Sequence, residues 1–242
     1  MTGQSLNMSQ PLAPQDPPAP PAARRRRKEA RPQELLDAAL QLFVERGFAS
    51  TRMEEVAARA GVSKGTLYLY FPSKEELFKA VVRTNISALI AEGQQIADQF
   101  DGPSAQLLRL LMQTWWQRVG DTHAGGIFKI IIAEVRNFPE LAQFYTDEVV
   151  LPAHRLVSGT LRRGIARGEF RAVPVDEAAH TLIAPMMLQA LIKHSIGACP
   201  VLGPDMNPSL LIDTQVDLML HGLQREPERS AAPVAKVRRV PT

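Results

Sequence analysis

The sequence predicts an all-α protein built from two helical units. Apolar residues recur at helical spacing through most of the 242 residues, and the strict alternation that would indicate strands is scarce. No Asn-Gly pair stands between alternating runs, so the usual hairpin signal is missing. The helix boundaries favour a compact unit over residues 30–75 and a larger one over residues 76–224.

The two ends of the chain differ in composition from the middle. Residues 1–23 are rich in Pro and Ala and carry almost no bulky apolar side chains, so we expect them to be disordered. A basic run follows, and residues 1–29 together form a Pro-rich and basic N-terminal arm. Residues 225–242 are equally poor in core-forming residues and predict a disordered tail.

Composition places few limits on function. The formal net charge of +3 and pI of about 9.2 are mildly basic and do not by themselves identify a partner. The single cysteine, Cys199, excludes an internal disulfide and fits a reducing compartment. No signal-peptide pattern is visible, and the apolar run 182–192 is shorter than a membrane span, so we expect a cytoplasmic protein. The five histidines show no metal-ligand spacing, and we expect neither a metal nor a cofactor.

Three helices are predicted in the first unit. The first begins near Pro32, a favourable first-turn residue, and ends at Gly47. Thr51 and Glu54 have the spacing of a capping box and predict the start of a second helix, which ends at Gly61. A third helix is predicted from Ser63 to about residue 70.

A second capping-box pattern, Ser73 to Glu76, predicts a long fourth helix through about Gln99. Further helices are predicted at about 103–119, 124–137, 140–167, 176–196 and 208–223. Pro152 and Pro185 lie inside two of them and predict kinks. Gly168 is predicted to cap a helix in the left-handed conformation.

Residues 51–70 have the pattern of a helix-turn-helix. The closely crossing helices need a small residue, here Ala57, and the turn needs a left-handed one, here Gly61. Val56, Val62 and Leu67 supply the apolar contacts between the helices. An ordinary helical hairpin would not require all three features together.

The stretch GFASTRMEEVAARAGVSKGTLYLYFPSKEELFKAVV, residues 47–82, resembles the DNA-binding head of the TetR (tetracycline repressor) family of bacterial transcription regulators. The resemblance is specific over about residues 31–82 and fades in the body. It implies a three-helix DNA-binding head, a linking fourth helix and a helical body that binds a ligand and dimerises.

The resemblance also implies DNA-contacting positions. In such a motif the second helix, here residues 63–70, enters the major groove. The candidate contacts are Thr51, Arg52, Ser63, Lys64, Gly65, Thr66, Tyr68, Tyr70 and Lys74. Lys64 suits a base edge, whereas hydroxyl groups and Lys74 suit phosphate oxygens.

Several of these residues have a second interpretation that the sequence leaves open. Tyr68 could pack into the head, Thr51 could serve as a helix cap, and the two lysines could be ordinary solvated side chains. Leu69 either belongs to the core or meets a thymine methyl group. The helix-interior Gly65 is explained if the backbone must approach DNA closely, since a side chain there would intervene.

The basic run consists of Arg24, Arg25, Arg26, Arg27 and Lys28. A flexible basic arm of this kind can follow phosphates or enter the minor groove. The alternative is a charged linker that only improves solubility.

The resemblance implies a homodimer through the last two helices and a pocket for a largely apolar small-molecule inducer. Candidate lining residues are Met112, Trp115, Trp116, Phe128, Ile131, Phe144 and Met187. We therefore expect a dimeric transcriptional regulator, most simply a repressor released from a palindromic operator by its ligand. The alternatives are an all-helical interaction protein whose head no longer binds DNA and, with no catalytic motif to support it, an enzyme.

Overall fold

The computed structural model of the chain describes residues 21–195 and 207–224, with side chains from residue 32 onward except that of residue 208. Within these ranges the chain is helical apart from its connections and one isolated antiparallel bridge between Phe170 and Gln224. This confirms the all-α prediction. The parts of the predicted arm and tail at residues 1–20 and 225–242 lie outside the described residues, as does Cys199.

The first helix begins earlier than predicted. Helix α1 spans Pro21–Arg46, so the basic run lies on its first turns and Pro32 lies inside it. The predicted helix start near Pro32 is wrong, while the disorder predicted for the arm stays a prediction. Alanine, arginine and lysine favour helix, and their run from residue 22 to 28 outweighs the boundary that Pro32 indicates. Gly47, at φ 86°, ends the helix as predicted.

The helix-turn-helix forms as predicted. Helices α2 (Met53–Arg59) and α3 (Lys64–Tyr70) are joined by a turn in which Gly61 has φ 66°. Ala57 and Leu67 are buried between them. The core below the motif is aromatic, because the rings of Phe43, Phe48 and Phe78 contact one another with centroids 5.3–5.7 Å apart.

One long helix connects the head to the body. Helix α4 (Lys74–Val82) continues through a π-helical turn (Arg83–Ser87) into α5 (Ala88–Gln99). The hydroxyl of Ser73 accepts a hydrogen bond from the N–H of Glu76 at 3.1 Å and caps the start of this helix. The predicted fourth helix and its end near Gln99 are confirmed.

The body consists of six further helices among the described residues, two of them extended by π-helical turns. They are α6 (Ser104–Trp115, continued by Trp116–Gly120), α7 (Gly126–Glu134), α8 (Pro139–Tyr145, continued by Thr146–Val150), α9 (Leu151–Ala166), α10 (Val175–Ser195) and α11 (Pro208–Leu223). The predicted helix 140–167 is therefore α8 and α9 joined by a π-helical turn. Pro152 follows directly on this π-helical turn, inside the continuous helical run.

Head and body share one continuous core, and α7 makes the second connection between them. The ring of Phe138, just beyond α7, packs edge-on against Phe48 with centroids 4.9 Å apart. Glu134 accepts a hydrogen bond from the N–H of Ala49 at 3.1 Å. The ammonium of Lys129 donates to the carbonyl oxygen of Val44 at 3.2 Å. The end of α1 is therefore held by the body as well as by α4.

Candidate DNA-binding surface and ligand cavity

Helix α3 is oriented by one fully buried side chain and one cap. Leu67 has no exposed surface, and the hydroxyl of Ser63 accepts a hydrogen bond from the N–H of Thr66 at 3.1 Å. Because Leu67 faces the head, the opposite side of α3 faces solvent. That side carries Gly65, Tyr68 is exposed at its border, and Lys64 is exposed in the first turn of the helix.

Lys64 is held at the start of α3 by a carboxylate of α2. Its Nζ lies 2.5 Å from an Oε of Glu54 and 5.8 Å from the ring centroid of Tyr68. Hydrogen bonding between the lysine and the carboxylate raises the pKa of Lys64 and lowers that of Glu54, so both groups are charged at neutral pH. Both side chains are more than half exposed, so a phosphate or base edge can compete with this ion pair.

Gly65 is exposed and has ordinary helical backbone. A Cβ placed there would meet nothing closer than the hydroxyl oxygen of Ser63 at 3.9 Å, and its φ is not in the left-handed region. The fold itself therefore does not require glycine at this position. The predicted close approach of this backbone to DNA stays a prediction.

The other candidates on α3 differ in exposure. Tyr68 is 39% exposed. Tyr70 is partly buried against the core, and Thr66 is partly buried with its hydroxyl 2.9 Å from that of Ser63. Arg52 is exposed at the start of α2, where its N–H donates to the carboxylate of Glu55 at 3.2 Å.

Thr51 does not form the predicted helix cap. Its side chain is buried, and its hydroxyl donates to the carbonyl oxygens of Gly47 at 2.7 Å and Leu42 at 3.3 Å. The helix cap is Arg52, and Glu55 supplies the carboxylate that the sequence pattern assigned to Glu54. The predicted capping box is therefore displaced by one residue. Since the Thr51 hydroxyl serves the end of α1, we leave this residue out of the proposed DNA contacts.

Lys74 is also engaged inside the head. Its ammonium donates to the carbonyl oxygens of Phe48 at 2.8 Å and Ala49 at 3.0 Å and lies 4.5 Å from the ring centroid of Phe48. Burial lowers the pKa of Lys74, and the carboxylates of Glu75 and Glu134 offset part of this effect by favouring the charged form. Lys74 thus fixes the loop between α1 and α2. From the sequence alone, this structural role of Lys74 could not be distinguished from a contact with phosphate.

The basic run Arg24–Lys28 lies on the first turns of α1. Its side chains are outside the described residues. The candidate contact between this run and DNA therefore stays a prediction.

A cavity of about 100 Å³ lies in the body between α5, α6, α9 and α10. Its walls are almost entirely apolar and include Met112, Trp115, Leu156 and Met186. Glu92 and Thr114 are the polar side chains among its lining residues. Glu92 is paired with Arg118 at 2.7 Å, so its charge is balanced.

The cavity includes two of the residues predicted to line the ligand pocket. Of the predicted lining residues Met112 and Trp115 do line it, whereas Trp116, Phe128, Ile131, Phe144 and Met187 do not. Phe128 packs behind Trp115 with ring centroids 5.6 Å apart, and the ring of Phe144 is covered by the guanidinium of Arg83 at 5.0 Å. Helical spacing identifies large apolar residues but does not separate core positions from cavity walls, so Met186 was missed in favour of its neighbour.

The last two helices present apolar side chains to solvent. Leu188 on α10 and Leu210 and Leu218 on α11 are each more than half exposed. The inner face of α11 is fixed to α6, where Arg109 pairs with Asp217 at 3.1 Å and Gln113 donates to Asp213 at 2.8 Å. Across residues 21–195 and 207–224, no helix is both long and apolar enough to cross a membrane.

Comparison with known proteins agrees with both halves of this architecture. Residues 35–81 match the bacterial regulatory proteins of the tetR family, and residues 101–197 match the tetracyclin repressor-like C-terminal domain. The transcriptional repressor KstR2 of Mycolicibacterium smegmatis is 31% identical over 161 residues, which is 66% of this chain and 73% of the relative.

Solved structures share the fold. FadR of Bacillus subtilis in complex with stearoyl-CoA superimposes with a TM-score of 0.62 at 19% identity, over 79% of this chain and 99% of that one. The ketosteroid regulator KstR2 of Mycobacterium tuberculosis gives a TM-score of 0.63 at 23% identity, over 81% of this chain and 96% of that one. With the helix-turn-helix, the exposed α3 and the helical body in place, the chain belongs to the tetR family of DNA-binding bacterial transcription regulators.

Proposed function

We propose that this regulator is a homodimeric repressor that binds a palindromic operator through α3 of each protomer and is released by a largely apolar small molecule. The observation that carries the proposal is the exposed side of α3. Gly65 and Tyr68 lie there, and Lys64 is exposed in the first turn of the same helix, whose inner side is fixed by Leu67. A helix presented in this way can enter a major groove with its first residues toward the bases.

The proposed DNA contacts divide by chemistry. Lys64 is assigned to a base edge. On DNA binding, a phosphate or base replaces the carboxylate of Glu54 as the partner of its ammonium group. The exposed Arg52 and the hydroxyl groups of Ser63 and Tyr68 are assigned to phosphate oxygens. Thr66 and Tyr70 are partly buried and are assigned supporting positions at the edge of the surface.

Dimerisation is supported by the exposed leucines of α10 and α11. Three leucines more than half exposed on two adjacent helices are unfavourable in water and are covered in a dimer that packs these helices together. Two heads related by a two-fold axis would read two half-sites about one helical turn of DNA apart. Sedimentation of a monomer at micromolar concentration would contradict this part of the proposal.

The ligand proposal is supported by the cavity and by its position. The walls are apolar, and α5, which supplies part of them, is continuous with the head through α4. FadR of Bacillus subtilis holds stearoyl-CoA on the same fold, which supports a ligand with a long or bulky apolar part. Release requires that the ligand binds the DNA-free arrangement of the heads more tightly than the DNA-bound one.

Selection of bound sequences from genomic DNA, followed by footprinting, tests the proposal. We expect a protected palindrome that Gly65→Leu and Lys64→Ala fail to protect, and adjacent genes that indicate the ligand class. Compounds of that class are then expected to weaken protection. Failure to enrich any sequence would contradict DNA binding, whereas enrichment with no response to ligand would contradict only the sensor part.

A further inference from the structure

Leu69 is the most exposed large apolar side chain in the described part of the chain. It is 86% exposed, although it lies between Tyr68 and Tyr70 in a seven-residue helix. The neighbouring Leu67 has no exposed surface, so α3 already has the apolar contact that holds it to the head. Leu69 therefore does not serve the folding of this protomer.

The position of Leu69 on α3 is defined by helical geometry. It lies four residues after Gly65, so the two positions are neighbours one turn apart on the same face. This face is exposed and is bordered by the exposed Tyr68. When the backbone at Gly65 approaches DNA, the side chain of Leu69 approaches it as well.

The chemistry of the major groove leaves one suitable contact for this side chain. Adenine, guanine and cytosine present hydrogen-bonding groups there, whereas thymine also presents its C5-methyl group. A leucine cannot satisfy a donor or acceptor, and covering one would remove its water without replacement. Against a methyl group the same side chain removes apolar surface from water.

We propose that Leu69 is a specificity-determining residue that reads the methyl group of one thymine in each operator half-site. This inference rests on the proposed function, since it requires α3 to enter the major groove. DNA fits the site better than a protein partner, because Leu69 lies one turn from the exposed Gly65 on the helix that presents Lys64 and Tyr68. The exposed leucines of α10 and α11 form a separate surface on the body.

Replacing thymine by deoxyuridine tests the inference, because this change removes only the methyl group. The full chain first selects its site from random double-stranded DNA. Each thymine of the selected site is then replaced in turn, and affinity is measured for the wild type, for Leu69→Ala and for Ile132→Ala. Ile132 is an exposed apolar residue of the body and serves as the matched control.

We expect one thymine position in each half-site at which deoxyuridine weakens wild-type binding by about fourfold, the equivalent of one buried methyl-sized group. At that position Leu69→Ala should bind both DNAs equally, while Ile132→Ala should behave as the wild type. The thermal midpoint of Leu69→Ala should match the wild type, since the side chain is exposed.

Three results would overturn the inference. They are a wild type insensitive to deoxyuridine at every position, a sensitivity that Leu69→Ala retains in full, and a changed sedimentation coefficient of Leu69→Ala in the absence of DNA. The last would assign Leu69 to a protein contact. If no sequence is selected at all, the proposed function fails together with the inference; if a site is selected and these results follow, only the inference fails.

Discussion

Glu134 of the body accepts a hydrogen bond from the backbone N–H of Ala49 in the head, with 3.1 Å between the two atoms. Around this bond lie the edge-on contact between Phe48 and Phe138 and the bond from Lys129 to Val44. The other end of α7 carries Phe128, which packs on the cavity-lining Trp115. Helix α7 therefore connects the cavity to the end of α1 by a path separate from α4 and α5.

The aromatic part of this joint should contribute measurably to stability. We expect Phe138→Ala to lower the free energy of unfolding by about 2 kcal/mol, below the range for a fully buried phenylalanine because Phe138 is only partly buried. The control Ile132→Ala removes an exposed side chain nearby and should change it by less than about 0.5 kcal/mol. Urea denaturation measures both changes in the free energy of unfolding. If Phe138→Ala changes it as little as Ile132→Ala does, the contact between Phe138 and Phe48 adds nothing to stability.

Gly65 and Gly61 should respond to substitution in opposite ways. Gly65→Leu is expected to leave the unfolding midpoint nearly unchanged and to weaken operator binding strongly, because the new side chain separates the backbone of α3 from DNA. Gly61→Ala should destabilise the head by about 1 kcal/mol, since φ 66° is unfavourable for a residue with a Cβ. Thermal unfolding and gel-shift titration on both variants separate the two effects. Retained DNA binding by Gly65→Leu would refute the close-approach explanation.

Glu54 should limit DNA affinity. Its carboxylate holds Lys64 and also stands close to the proposed path of the phosphates. We expect Glu54→Gln to tighten operator binding by roughly two- to fivefold at low salt, with a smaller gain as salt rises. Fluorescence anisotropy at several salt concentrations measures this, with the exposed Glu140→Gln of the body as control. Weaker binding by Glu54→Gln would instead mean that Glu54 positions Lys64 for its contact.

Filling the cavity should remove the ligand response without affecting DNA binding. Ala153 lines the cavity, and Ala153→Phe would place a benzyl group in a volume of about 100 Å³. Operator affinity in the absence of ligand should stay within about twofold, whereas the ligand should no longer release the DNA. Ala133→Phe adds the same group at an exposed position of α7 and should respond as the wild type. A ligand that still releases Ala153→Phe would have to bind elsewhere.

The basic start of α1 can be tested through salt dependence. If Arg24, Arg25, Arg26 and Arg27 bind phosphates, replacing all four by alanine should reduce the slope of log affinity against log salt by about 0.9 for each phosphate that is no longer neutralised. The slope should be unchanged if the run is only a charged linker. Alanine favours helix at least as well as arginine, so the substitution itself should not disrupt α1.

The head was largely predictable from sequence because its constraints are local. A turn that needs φ above zero requires Gly61, and a close helix crossing requires Ala57, so each feature is visible as a residue type at a fixed spacing. The roles of Thr51 and Lys74 were not predictable in the same way. Both bind carbonyl oxygens at the end of α1 or in the loop after it, and those acceptors come together only in the folded head.

In the body, still fewer of the roles of individual residues could be predicted from sequence. Its helices were found, because periodicity identifies an apolar face, and the predicted cap at Gly168 is confirmed by φ 72°. Cavity walls and core share one composition, however, and differ only in whether a neighbouring side chain fills the space. Phe128 and Phe144 pack against other rings and cations, whereas Met112 and Trp115 border open space, and no local pattern carries that difference.

The π-helical turn Arg83–Ser87 determines where a single residue can be deleted from the connecting helix. Such a turn accommodates one residue more than an α-helical turn, and the faces before and after it keep their relation. Deleting one residue here would give a regular helix in which α4 still faces the head and α5 still faces the cavity. Deleting one residue elsewhere in the long helix would rotate these faces by about 100° relative to each other. Single-residue deletions in the connecting helix should therefore be tolerated at residues 83–87 and nowhere else along it.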